Sequence, residues 1–154
     1  MKRLALLGSL VLACVAATFA ATAPAAARCT PTLNDGSGPF ARGAPPLRAK
    51  IGTGHVLTGV VLSTDCKPLG RALVQFWQAN RNYVYTRAGS ATVIAGPTGR
   101  FRFEGPRPTS SGGRPGHIHL RVIADEHVIL YARYVPAPGA NRGTVRLVLE
   151  PEAL

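Results

Sequence analysis

The chain has 154 residues and a formal charge of +11, from 18 Lys and Arg against 7 Asp and Glu. Such a length fits one domain, and such a charge draws anionic partners: acidic envelope polymers, polyphenols or nucleic acid. No nucleic-acid-binding motif occurs and the arginines are scattered along the sequence, so no nucleic acid is expected and an anionic envelope surface is the better match.

Residues 1–27 read as a leader. Lys2 and Arg3 form a positive n-region, an apolar stretch rich in Ala and Leu follows, and Ala25-Ala26-Ala27 supplies a small-residue cleavage site before Arg28. The apolar stretch only marginally reaches membrane-spanning length, and Leu12 fits a lipoprotein cut at Cys14 poorly. The expectation is export, as a secreted or periplasmic protein. Loss of Cys14 leaves Cys29 and Cys66, which in an exported chain read as one disulfide. Closing that loop stabilises by about 3.5–4 kcal/mol on the chain-entropy estimate. Thiolate metal ligation lacks a close Cys-x-x-Cys spacing.

Residues 28–50, rich in Pro, Gly and Thr without sustained periodicity, read as an arm that the disulfide pins to the sheet. Residues 51–154 form the domain. Strand patterns are expected at residues 55–63, 72–78, 100–104, 117–124, 128–134 and 144–149. Turn signals such as Gly96-Pro97-Thr98-Gly99 and Pro136-Ala137-Pro138-Gly139 separate them. Many short strands with Gly/Pro turns and no long amphipathic helix predict an all-β fold, an antiparallel β-sandwich.

Three features carry chemistry. His117-Ile118-His119 runs into a strand, where residues two apart share a face, so two imidazoles stand side by side. Trp77-Gln78-Ala79-Asn80-Arg81-Asn82-Tyr83-Val84-Tyr85 ends a strand and delivers two tyrosines into the following loop. A phenolate is a hard anionic ligand suited to a ferric ion, and imidazole suits iron as well; ordinary half-buried aromatics are the plain alternative. Arg114, three residues before His117, could stabilise developing negative charge near a metal.

In order and spacing these residues resemble the intradiol ring-cleavage dioxygenases, the catechol and protocatechuate dioxygenases, and most closely their short exported single-domain members. The resemblance spans nearly all of the chain after the leader. Cys29-Thr30-Pro31-Thr32 with Gly38-Pro39-Phe40 is similar to the family's N-terminal arm. Leu57-Thr58-Gly59-Val60-Val61, Cys66-Lys67-Pro68-Leu69 and Ala72-Leu73-Val74 resemble its first hairpin, and Gly99-Arg100-Phe101-Arg102-Phe103 follows. Trp77-Gln78-Ala79-Asn80 and Arg114-Pro115-Gly116-His117-Ile118-His119 match its two most specific motifs.

The resemblance implies a non-haem Fe(III) site that opens catecholic rings with O2. It places Tyr85, His117 and His119 as metal ligands and Arg114 as the active-site arginine. It also exposes a departure, for the family's axial tyrosine falls three residues before the arginine, and Ser111 stands there. A serine hydroxyl is a poor ferric ligand at neutral pH. Either solvent completes the ligand set, or another tyrosine substitutes (Tyr83 foremost, then Tyr131 or Tyr134), or the chain is a catalytically degenerate binding module for aromatic or anionic envelope ligands. Copper on His-x-His is a lesser alternative. His55 and His127 carry no motif and read as surface or packing residues.

Overall fold

Along β1 (His55–Ser63), His55, Leu57, Gly59 and Val61 are buried while Val56, Thr58 and Val60 are half-buried, the period of two expected of a strand with one face on a core. The same alternation recurs in β4 (Arg100–Gly105), where Phe101 and Phe103 turn inward and Arg100 and Arg102 outward. The remaining strands are β2 (Leu73–Ala79), β3 (Tyr85–Ile94), β5 (Ile118–Ile123), β6 (Leu130–Tyr134) and β7 (Arg142–Leu149). This computed structural model describes residues 27–38, 43–110 and 113–153. The expected leader apart from Ala27, together with Cys14, Pro39, Phe40 and Ser111, lies outside the described residues.

The strands form two sheets, β4-β1-β7 and β3-β2-β5-β6, packed face to face. The expected β-sandwich is present, with one difference. All pairings are antiparallel except β1 with β7, which run parallel because the chain returns from the second sheet to the open edge of β1. Leu57, Val61, Phe103 and Leu149 meet Val74, Phe76, Ile118 and Leu120 between the sheets, all but fully buried. Phe76 stacks on Phe103 at 4.3 Å between ring centroids. Burying each such side chain contributes about 1.5–3 kcal/mol.

One strand was not expected from the sequence. β3 begins at Tyr85, so this tyrosine heads an edge strand rather than lying in a loop. Its first half, Thr86-Arg87-Ala88-Gly89-Ser90, is small and polar with no apolar alternation, and pairing to β2 rather than local pattern makes it a strand.

The arm is ordered by bonds to the sheet edges. Cys29 is bonded to Cys66 as expected, with Cα atoms 5.2 Å apart. Beyond the disulfide, Thr32 N–H donates to the Val148 carbonyl and Asp35 N–H to the Tyr131 carbonyl. This lays residues 32–36 across β7 and β6. Farther on, Leu47 bridges to Thr92 of β3 and Lys50 to Glu104 of β4, so the arm touches both sheets.

Candidate metal centre

Ile118, Leu120 and Val122 point into the core, which turns His119 to the other face of the four-stranded sheet. His117 shares that phase just ahead of the strand, and the two Nε2 atoms lie 3.1 Å apart. The His117 Nδ1–H donates to the Pro115 carbonyl at 2.9 Å. That bond selects the tautomer whose Nε2 lone pair faces His119. Gly116 makes the turn feasible, since a Cβ there would stand 2.3 Å from the Pro108 carbonyl oxygen.

Tyr85 reaches the same point from the β2–β3 hairpin. The Asn80 side-chain oxygen accepts from the N–H groups of Asn82 and Val84, and the Asn80 carbonyl accepts from Tyr83 N–H. The tight turn forces Tyr83 to φ 61°, a left-handed conformation uncommon outside glycine. Between Trp77 and Ala79 the register shifts, so that Ser90 opposes Trp77 and Tyr85 opposes Ala79. Arg48 secures this bulge: its guanidinium donates to the carbonyls of Arg87, Ala88 and Ser90 at 2.7 to 3.1 Å. Tyr85 Oη then lies 3.0 Å from His119 Nε2.

The three expected ligands therefore converge. They border a cleft of about 490 Å³ shared with Arg114, Tyr83, Asp35 and Arg133. Tyr83, the candidate substitute ligand, lies in the cleft wall at 53% exposure. The other two tyrosines are placed elsewhere: Tyr131 pairs opposite Arg121, and the Tyr134 hydroxyl meets His55 at 3.0 Å. His55 is buried packing, as expected of it.

Sequence reasoning missed Arg133, which stands directly opposite His119 across the β5–β6 ladder, with Asp35 at 4.0 Å from its guanidinium. The alternation of Leu130 and Ala132 with Tyr131 and Arg133 in the sequence carried the signal, and β6 indeed buries the first pair and turns Arg133 out. Gln78, within the Trp77-Gln78-Ala79-Asn80 motif, is buried, and its side-chain N–H donates to the Pro106 carbonyl at 2.7 Å.

Electrostatics keep the His119 imidazole and the Tyr85 phenol neutral. Burial, then His117 and Arg133, hold His119 down to about 4. Burial pushes the Tyr85 phenol up, while the positive charges of Arg114 and Arg133 pull it back. Among the described residues no three His, Cys, Asp or Glu side chains cluster; the third donor here is a phenol. Nitrogen donors sit about 2.0–2.1 Å from a bound first-row ion, which sets neighbouring donors about 3–3.4 Å apart. The separations of 3.1 and 3.0 Å found here match that spacing, so the residues fit a metal such as ferric iron.

No protein-family model matches the sequence, and no curated protein does. Solved structures match the fold. The dioxygenase domain of a dioxygenase–carbohydrate-binding protein fusion from the cellulolytic bacterium Streptomyces sp. SirexAA-E superposes with a TM-score of 0.70 at 23% identity, over 80% of this chain and 100% of that one. The intradiol ring-cleavage dioxygenase of Tetranychus urticae gives 0.69 at 18% identity, over 80% and 96%. Hydroxyquinol 1,2-dioxygenase of Pseudomonas putida DLL-E4 gives 0.63 at 15%, over 81% and 67%. The fold is that of the intradiol dioxygenases.

Proposed function

We propose that the protein is an exported, non-haem iron enzyme of the intradiol type, opening the ring of catecholic aromatics between the two hydroxyls and adding both atoms of O2. The observation that carries the reading is the convergence of Tyr85 and His117 on His119, at 3.0 and 3.1 Å from its Nε2, on a cleft that also holds two arginines. These three side chains would hold the ferric ion, which when bound supplies Lewis acidity toward the catechol oxygens.

The rest is done by the chain's own residues. His117, locked by the Pro115 carbonyl, and His119, kept neutral by burial, present lone pairs without a proton to lose. Arg114 and Arg133 offset the negative charge of a deprotonated catechol, and their guanidinia suit its oxygens. Ala79, Pro115 and Ala132 give the cleft an apolar wall for one aromatic ring. Ser111 leaves a ligand position to solvent or to Tyr83.

The test is iron content and visible spectrum after ferric loading, then oxygen uptake with catechol. Loaded protein should absorb in the visible through Tyr85, and Tyr85→Phe should weaken the band, or abolish it where solvent rather than Tyr83 fills the remaining position. A colourless, metal-free product overturns the reading. The identity of residue 111 favours one rival, a binding module that holds aromatics without chemistry. Catechol binding without oxygen consumption would support that rival. Gain of turnover in Ser111→Tyr would show the remainder of the site to be competent, whereas no gain despite bound iron would count against the enzyme.

A further inference from the structure

The arginines that look scattered in the sequence gather on the outward face of the β4-β1-β7 sheet, on the opposite side of the sandwich from the cleft. Register fixes the arrangement. Arg100 and Arg146 flank Val60, Arg102 and Thr144 flank Thr58, and Glu104 and Arg142 flank Val56. Residues paired across a ladder share a face, so this surface has a central track on β1 with cations on both sides.

Its charge is largely uncompensated. Glu104 is the one acidic residue among these outward positions, and it is already engaged by Lys50 at 3.0 Å and Arg102 at 2.9 Å. The hydrogen bonds of both partners hold its carboxyl below the ordinary range, so it stays ionised. Arg146 folds over the sulfurs of Cys29 and Cys66. Among the described residues no carboxylate reaches Arg100 or Arg142, and both are exposed.

We propose that this face is a docking surface for a carboxylated polysaccharide, a linear polyuronate laid along β1. Neighbouring strands are about 4.8 Å apart, so the cations of β4 and β7 stand about 10 Å apart across the track. A chain of carboxylates between them meets guanidinium on either side, the pairing that arginine forms best. The floor suits sugar rings: Val56 and Val60 offer aliphatic surface, while Thr58 and Thr144 offer hydroxyls bonded to each other at 3.0 Å. A shallow cleft runs between Arg102 and Arg142 over Thr58 and Gly143. Nucleic acid fits less well, because these outward positions include no aromatic side chain on which a base could stack and no helix to enter a groove.

The experiment is titration of the full chain with polygalacturonate, at low and raised salt. Arg100→Glu with Arg142→Glu should lower affinity about tenfold or more, because both remove favourable pairs and add repulsion. Arg81→Glu with Arg87→Glu makes the same change in net charge on the β2–β3 hairpin and should cost less than about twofold. Should the reversal variant melt early, Arg100→Gln with Arg142→Gln gives the same comparison without repulsion. Equal losses in the two pairs, or no binding at low salt, overturn the proposal. Tighter binding of single-stranded DNA at the same face overturns it in favour of nucleic acid.

Discussion

Trp77 stands directly opposite His119 across the β2–β5 ladder. Two motifs about forty residues apart in the chain are thereby neighbours on one sheet face. Trp77 is itself buried, and the Arg121 guanidinium lies 5.1 Å over its ring. The centre is thus built on paired backbone at β5, with β2 as its rigid neighbour and β3 bringing the phenol.

Arg48 is a positioning residue for Tyr85, acting through the β3 bulge. Arg48→Ala strips its donors from the carbonyls of Arg87, Ala88 and Ser90. Stability should fall by about 1–3 kcal/mol, read by denaturant unfolding. Iron affinity should fall about tenfold, as for the loss of other groups that orient a ligand. Arg48→Lys should restore only part of both, since an ammonium lacks the second donor, Nε–H, that holds the Ser90 carbonyl and the planar fork that fixes the geometry. An unchanged iron affinity in a destabilised Arg48→Ala would confine the residue to a structural role.

Gly116 has backbone on its open side. An alanine Cβ would meet the Pro108 carbonyl oxygen at 2.3 Å and its carbon at 2.6 Å, atoms that cannot rotate away. Gly116→Ala should therefore push residues 108–109 and the His117 turn apart, at about 1–3 kcal/mol. The His117 Nδ1–Pro115 bond depends on that turn, so the variant should also bind iron more weakly. A melting temperature equal to wild type would contradict the packing seen here.

The sequence carries much of this architecture where local pattern and tertiary context agree. β1 runs over residues 55–63 as its alternation predicts, and the phase of Ile118, Leu120 and Val122 puts His119 outward without knowledge of the fold. What stayed hidden depends on partners distant in the chain. The polar start of β3 is a strand only because β2 and Arg48 hold it. Arg133 joins the centre through the β5–β6 ladder, and Asp35 through an arm with no periodicity. The cationic face draws on β4 and β7, whose outward residues alternate with apolar ones and so form no charged run.

The disulfide anchors that arm at one end. Cys29→Ser with Cys66→Ser should lower stability by about 2–4 kcal/mol, measured as a shift in the denaturant midpoint. The loss should be matched by wild type under reducing conditions. Because Thr32 and Asp35 tie the next residues to Val148 and Tyr131, the arm should remain partly docked, and limited proteolysis should cut it near residue 29 first. Cleavage first inside β6 or β7 would argue that the arm depends on the disulfide alone.

His55 makes stability depend on pH. It is 1% exposed. Its Nδ1–H donates to the Ala140 carbonyl at 3.2 Å, and its Nε2 accepts from the Tyr134 hydroxyl at 3.0 Å. Arg107 donates to the same Ala140 carbonyl at 2.9 Å, so a positive charge faces the ring. Burial lowers the His55 pKa from 6.5; the Ala140 bond partly opposes this, and Arg107 adds to the lowering. In the unfolded chain the imidazole takes a proton near its ordinary value, while in the folded chain it resists until the pH is lower. Across that interval the unfolded state binds more protons, so stability falls as pH falls. His119 contributes with the same sign toward its value of about 4, so wild type alone does not isolate the effect. The comparison is wild type with His55→Gln, unfolded in denaturant from neutral pH to about pH 5. The variant should be less stable at neutral pH, where it lacks the imidazole's fit to Tyr134 and Ala140, and should lose less stability on acidification. Parallel pH curves for the two proteins would show that His55 does not titrate between its folded and unfolded states.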